Sequence, residues 1–344
     1  MAQKYTSYDF SLLFSLSLVW SLSFIFIKVA VETMPPLAVV TLRMLIACVL
    51  FFVYMSVKTI DWRSWLPLWR VATPVALTGY VIPYMLISWS TQHVESYLPA
   101  VMIGLVPLLA MLFAHFFTDD ERLNWQRALA IVCGLGGIFA FKIDHGMEMV
   151  DNHDGESHMA FAVLPLAALF LSVVSYAANI AMGRRLKGLS PTAVQGVASY
   201  IGLLIILPFM LIYESDFFTD GIQHVSLESW AATLALGTFV TVLSSIMFYV
   251  LIGRSGMIFA SLVDYVIPFF GVILGYLILD ETINEGTFIA LPLIMVSFAI
   301  MYTQAPTTAQ HINKNGGKHT DKKGHKSKQK QKPPKTGTIS CQVR

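Results

Sequence analysis

Runs of apolar residues, each near the length of a bilayer-crossing helix, follow one another from residue 10 to residue 303 and leave this chain few folds to choose from. They fall at 10–31, 36–57, 68–91, 96–117, 125–142, 159–182, 191–213, 229–252, 256–279 and 284–303. At 1.5 Å rise per residue, about 20 helical residues cross a hydrocarbon core of roughly 30 Å. The runs are continuously apolar and do not alternate, which points to helices and not to the strands of a barrel. Composition agrees, with 56% hydrophobic and only 13% charged residues where a soluble chain carries about 25% charged. The first run, "FSLLFSLSLVWSLSFIFIKVAV", exceeds a signal-peptide core and lacks a small-residue cleavage site at its end, so it reads as a retained span.

Charge gives an orientation. The net charge of +2 conceals a tail, 304–344, with ten Lys/Arg and one acid, against 13 bases and 20 acids in residues 1–303. With the N-terminus inside, 20 of the 23 bases fall in inner segments, and the outer gaps 143–158 and 214–228 hold nine acids and no base. The positive-inside rule therefore predicts that both termini are cytoplasmic. Three cysteines, Cys48, Cys133 and Cys341, imply no disulfide framework or metal motif.

The fourth and ninth spans lie over each other. "YLPAVMIGLVPLLAMLFAHFFTDDERLN" and "IFASLVDYVIPFFGVILGYLILDETIN" share a proline, at Pro107 and Pro268, and a matching acidic exit. Residues 1–142 and 159–303 then read as two five-helix repeats, joined by an acidic external linker at 143–158. An odd number of spans per repeat threads the second half with opposite polarity, the inverted architecture that carriers use to hold a substrate near the midplane. The expected fold is thus all-α and integral to the membrane, with ten transmembrane helices as two inverted five-helix repeats.

The residues 20–47, "WSLSFIFIKVAVETMPPLAVVTLRMLIA", resemble the opening of an EamA domain, and 104–141 resemble its close. Residues 253–283, "GRSGMIFASLVDYVIPFFGVILGYLILDETI", are similar to the close of a second copy. EamA proteins belong to the drug/metabolite transporter superfamily. The resemblance implies a ten-helix carrier with a central cavity, working by alternating access on small organic metabolites, often as an exporter. Two features depart from the pattern: Asp264, where the ninth helix usually has a neutral residue, and the lysine-rich tail.

Asp264 is the most demanding residue. An ionised acid in a bilayer core costs at least a few kcal/mol, so it is not expected to face lipid. Counted from residue 256 it lies roughly 12 Å into the span, and Pro268 has no N–H to give its carbonyl. A cation or proton site fits this combination; a buried contact that only holds helices together is the plainer reading. Arg43, some 10 Å higher by the same count, is the expected counter-charge, suited to a carboxylate or phosphate. Since the family pattern carries arginine there, a structural role on helix-end carbonyls is its simpler reading. Lys28, near the outer end of the first span, snorkels to the interface or pairs with Glu32, or else gates or attracts an anion. Trp20, Tyr84, Tyr176, Asn179 and Tyr265 are candidates for the wall of a pocket with apolar sides and a few polar tips, although aromatic residues also anchor interfaces.

Other signals carry little chemistry. His115 and Asp120 have acyltransferase spacing but straddle a helix exit, and His145, His153 and His158 lack compact ligand spacing. No P-loop suggests ATP use. The expected protein needs no cofactor or metal and binds no nucleic acid. Its expected partners are a small metabolite, a proton or other coupling ion where transport is coupled, and anionic lipids at the unstructured basic tail, 304–344. A membrane enzyme on lipid substrates, or a sensor using the tail as its output, are the competing classes.

Overall fold

A computed structural model describes residues 5–58, 67–117, 157–182, 190–219, 221–283 and 285–303, with five isolated helical positions between 125 and 136. All elements among these residues are helical: α1 (Ser7–Thr33), α2 (Pro36–Val57), α3 (Trp69–Ala76), a π-helical segment (Leu77–Val81) running into α4 (Ile82–Thr91), α5 (Tyr97–Ile103), α6 (Val106–Phe117), α7 (Ser157–Met182) and α8 (Pro191–Tyr213). After short turns come α9 (Leu227–Ala235), a second π-helical segment (Leu236–Leu243) continuing into α10 (Ser244–Ala260), α11 (Val263–Leu279) and α12 (Glu285–Thr303). Six continuous helical stretches are long and apolar enough to cross a membrane, and three shorter apolar helices begin at Tyr97, Val263 and Glu285. The expected fifth span, most of the acidic linker and the basic tail lie outside the described residues.

Local chemistry sets the helix ends. Thr6 and Asp9 form a reciprocal capping box at the start of α1. Pro36 and Pro191 open α2 and α8, where a missing N–H costs nothing. The expected ninth span differs from the fold observed. Gly256 adopts φ 82°, a conformation that suits glycine, and breaks α10 near its end. A tightened turn follows at Ser261–Leu262, so α11 starts only at Val263. Asp264 therefore sits in the first turn of a helix and not eight residues inside one. The helix N-terminus favours negative charge at that place.

Small residues bring the central helices together. The hydroxyl of Ser21 donates to the carbonyl of Ile267 at 2.9 Å, and Ser17 faces Val263 one turn away, joining α1 to α11. Gly271 lies so close to Ala100 that an added Cβ would stand 2.2 Å from the alanine methyl, which seals α11 against α5. Leu16, Leu98, Leu105 and Leu169 are almost wholly buried around this junction.

Candidate functional site

The two π-helical segments shape the centre of the bundle. In the first, Ile82 N–H reaches back to the carbonyl of Leu77, and Pro83 has no N–H to restore the ordinary ladder. In the second, Ser244 N–H bonds to the carbonyl of Phe239, while Thr241 Oγ1 donates to that of Leu236 at 2.8 Å. Each segment carries a glycine against a neighbour. A Cβ on Gly79 would stand 2.0 Å from Asn179 Nδ2, and one on Gly237 would stand 2.6 Å from the Ile46 side chain. Such π turns gather at functional sites because they re-aim side chains.

Between these segments lies a cavity of about 240 Å³. Its charged residues are Arg43 and Asp264. Arg43 is 4% exposed; its Nε donates to Thr241 Oγ1 at 2.9 Å, and the guanidinium stacks over the Tyr84 ring at 3.6 Å from the centroid. This contact pins α2 to the second π segment, while the terminal nitrogens of Arg43 make no hydrogen bond to the described residues. Asp264 is half-buried, facing the cavity, and makes no hydrogen bond or ion pair with the described residues. The two charges thus share one chamber without pairing with each other.

Aromatic walls flank the charges. Trp20 Nε1 donates to Ser244 Oγ at 2.9 Å and its ring packs on Phe248 at 5.3 Å. Tyr176 and Asn179 also line the cavity, Asn179 Nδ2 donating to the carbonyl of Val75 at 3.2 Å. Tyr80 donates to Gln195 Oε1, and Gln195 Nε2 donates to the Tyr249 hydroxyl at 2.6 Å, so this amide joins the third, seventh and eighth spans.

Six of the expected wall residues, Asp264, Arg43, Trp20, Tyr84, Tyr176 and Asn179, border this one cavity. Tyr265 does not; it is 3% exposed within the packed wall. Adjacent positions on a helix point about 100° apart, so Asp264 and Tyr265 look in different directions. Lys28 also stands away from the cavity. It donates to the carbonyls of Thr91 (3.0 Å) and Val94 (2.8 Å), capping the C-terminus of α4 with positive charge in place of pairing with Glu32. Gln195 and Tyr80 join the wall unforeseen. The signal for Gln195 is an amide within an apolar run, obscured by its nearness to the helix start.

Lining positions recur with a fixed spacing. Gly79, Tyr84, Ile87, Ile103 and Val106 have lining counterparts 161 positions later in Val240, Ser245, Phe248, Asp264 and Ile267. Trp20, Ser23 and Phe24 are matched by Tyr176, Asn179 and Ile180, a shift of 156.

The bundle is bonded across one end. Glu214 accepts N–H groups of Leu37 (3.1 Å) and Ala38 (2.9 Å) at the start of α2, and Glu281 accepts the Ser96 N–H (2.6 Å) and hydroxyl (2.9 Å) before α5. Lys28 belongs to the same end. Burial pushes the Glu214 carboxyl above its ordinary value, with the two backbone donors opposing the shift. At the other end Asp9 pairs with Arg254 at 3.0 Å. The cavity approaches that second end, since Asn179 stands three residues before the end of α7 at Met182 and Gln195 lies in the first turns of α8.

An apolar helical bundle around a chamber with both charge signs defines a membrane protein equipped to hold a small solute. The chain belongs to the EamA-like transporter family, which it matches over residues 10–142 and 163–303. It is 24% identical over 299 residues to the uncharacterized inner membrane transporter YedA of Escherichia coli strain K12, covering 85% of this chain and 90% of that protein. A similar match, 24% over 295 residues, covering 85% of this chain and 88% of the relative, joins it to the S-adenosylmethionine/S-adenosylhomocysteine transporter of Chlamydia trachomatis serovar L2. A solved crystal structure shares the fold with a TM-score of 0.57 at 16% identity, over 88% of this chain and 98% of its own.

Proposed function

We propose that this transporter is a secondary carrier that moves a small organic metabolite across the cytoplasmic membrane by alternating access. Two inverted five-helix repeats, residues 1–142 and 159–303, rock around the cavity, with both termini and the basic tail on the cytoplasmic side. The observation that carries this reading is the spacing of the cavity wall, in which eight of the eleven lining positions of the first half have a counterpart at a fixed spacing in the second. A chamber built from equivalent faces of two halves can open to either side by exchanging their roles. The double family match supports the same division.

The bonded end, carrying Lys28, Glu214 and Glu281, is the outer one by the distribution of basic residues. The conformation described is then sealed outside and reaches toward the cytoplasm. Asp264 is the group on which a coupling proton or a cationic part of the solute would sit.

The test is flux in proteoliposomes of the full-length protein, using a metabolite panel that includes amino acids and S-adenosylmethionine. Flux without ATP is expected, and Val106→Trp, which fills the chamber, is expected to abolish it while the variant still inserts. Flux unaffected by the plug, or none for any solute, overturns the reading. Deleting residues 304–344 is expected to leave flux intact, as a sensor using the tail for output would not.

A further inference from the structure

We infer that Thr241 is the residue that sets the position of Arg43 in the chamber, and that transport depends on Thr241 through that contact. The inference rests on the carrier reading above and adds to it a positioning residue that acts from behind the chamber wall.

The bond between the two residues has only one possible sense. Thr241 is 1% exposed and does not border the cavity, whereas Arg43 does. The threonine hydroxyl has a single proton, which goes to the carbonyl of Leu236 at 2.8 Å, so toward Arg43 it can only accept. A guanidinium can only donate. The path from Arg43 Nε to Thr241 Oγ1 (2.9 Å) and on to the Leu236 carbonyl is therefore fixed in direction at both steps. In an ordinary α-helix a threonine hydroxyl reaches back roughly one turn, to the carbonyl three or four residues before it. Thr241 reaches Leu236, one residue further back, because the π turn is wider, and in that turn the hydroxyl also meets α2.

One contact alone leaves an arginine loose. A hydrogen bond at Nε fixes a point and allows rotation about it; a ring face fixes a plane and allows sliding across it. Arg43 has both, Thr241 at its Nε and the Tyr84 ring 3.6 Å from its guanidinium carbon, so the terminal fork keeps one direction. Without the hydroxyl, a buried N–H loses its acceptor and the fork is free to swing.

The device occurs twice. Among the described residues α2 gives the cavity one lining residue, Arg43, and α8 gives one, Gln195. Each is held by a side chain from the π segment of the other half, Arg43 by Thr241 and Gln195 by Tyr80. Positions 80 and 241 are themselves related by the shift of 161 that relates the chamber walls. An incidental contact has no reason to fall at the equivalent place in both halves.

Two measurements on the full-length protein test this. The first, in detergent, is exchange of the Arg43 Nε–H with deuterated water, followed by NMR on protein labelled with nitrogen-15 arginine and assigned by its loss in Arg43→Lys. Exchange is expected to be about tenfold or more faster in Thr241→Val than in wild type, and near wild type in Thr241→Ser, which keeps the hydroxyl. The second is flux of the metabolite panel in proteoliposomes. Thr241→Val is expected to cut flux about tenfold or more, and Thr241→Ser to stay within about threefold of wild type. In an Arg43→Lys background Thr241→Val is expected to add less than about threefold, because its contact is already gone. Thr238→Val is the matched control, since that hydroxyl lies in the same π segment and bonds the carbonyls of Leu234 and Ala235; exchange and flux are expected at wild-type values. Losses that multiply in the double variant, or an equal loss from Thr238→Val or Thr241→Ser, overturn the inference and leave the carrier reading standing. If Thr241→Val fails to fold, wild-type protein still decides: an Arg43 Nε–H that exchanges as fast as an exposed arginine overturns the inference by itself. No flux of any panel solute in wild type sinks the carrier reading, with slow exchange still supporting the placement of Arg43 by Thr241.

Discussion

Arg43 and Asp264 show how far one residue can be read from its neighbours. Each is a charge inside an apolar run, and lipid could host neither without a large penalty, so both were bound to face the interior. That they stand unpaired was not legible, since Arg43 read as the counter-charge and the count along the ninth span missed the break before Asp264. Nor was the contact of Arg43 with Thr241 and Tyr84, since no sequence pattern aligns the second span with the eighth. Lysine at this place keeps the charge but loses both the Nε bond and the planar stack. Arg43→Lys is therefore expected to lower the melting temperature in detergent and to cut flux about tenfold or more, the size of losing a hydrogen bond to a charged group. Among the described residues, Asp264 is the only carboxylate on the cavity wall. Asp264→Asn is expected to insert normally yet flatten the pH dependence of flux; a wild-type pH profile in that variant would mark the acid as purely structural.

At the scale of elements, hydropathy fixed the positions of most helices within a few residues, because the bilayer thickness dictates their length. It was blind to the interruptions. A π turn adds one residue to a turn and rotates everything beyond it, and an apolar run looks the same with or without it. Pro83 hinted at the first segment; the second depends on Thr241 reaching Leu236, a contact made only once the turn exists. Gly256 was likewise readable only as a small residue between two runs. Gly237 gives the sharpest test of these segments, because an alanine there meets Ile46 and the Arg43 carbonyl, neither of which is a flexible tip. Gly237→Ala is expected to cost about 1–3 kcal/mol of stability by overpacking. Gly253→Ala, inside the helix with nothing within 4 Å of the added methyl, should instead raise the melting temperature slightly through helix propensity.

For the whole molecule, the bonded end makes two predictions. Glu214 favours its protonated form more in the fold than in an unfolded chain, since burial outweighs the N–H groups of Leu37 and Ala38. Its contribution to stability is therefore full below the ordinary glutamate value of 4.5 and is lost as pH rises through the raised one. Glu214→Gln should remove that loss from a melting-temperature profile against pH. Lys28→Met removes the cation holding Thr91 and Val94 to α1. A cysteine at Val31, in protein whose native cysteines are serine, should then react faster with a membrane-impermeant thiol reagent applied to intact cells. Unchanged labelling would show that Lys28 does not hold this end shut.

The Tyr80–Gln195–Tyr249 chain has a mechanical corollary. Its middle member is tied on both sides, to the third span in one half and the eighth in the other. Any sliding of the halves would break this chain on one side of the amide, and half-made polar networks are the costliest kind. If the halves rock as proposed, partial travel is thus penalised. On the alternating-access proposal, motion in this transporter should accordingly be a snap between two positions, visible in single-molecule distance records as two dwell levels with no third between them.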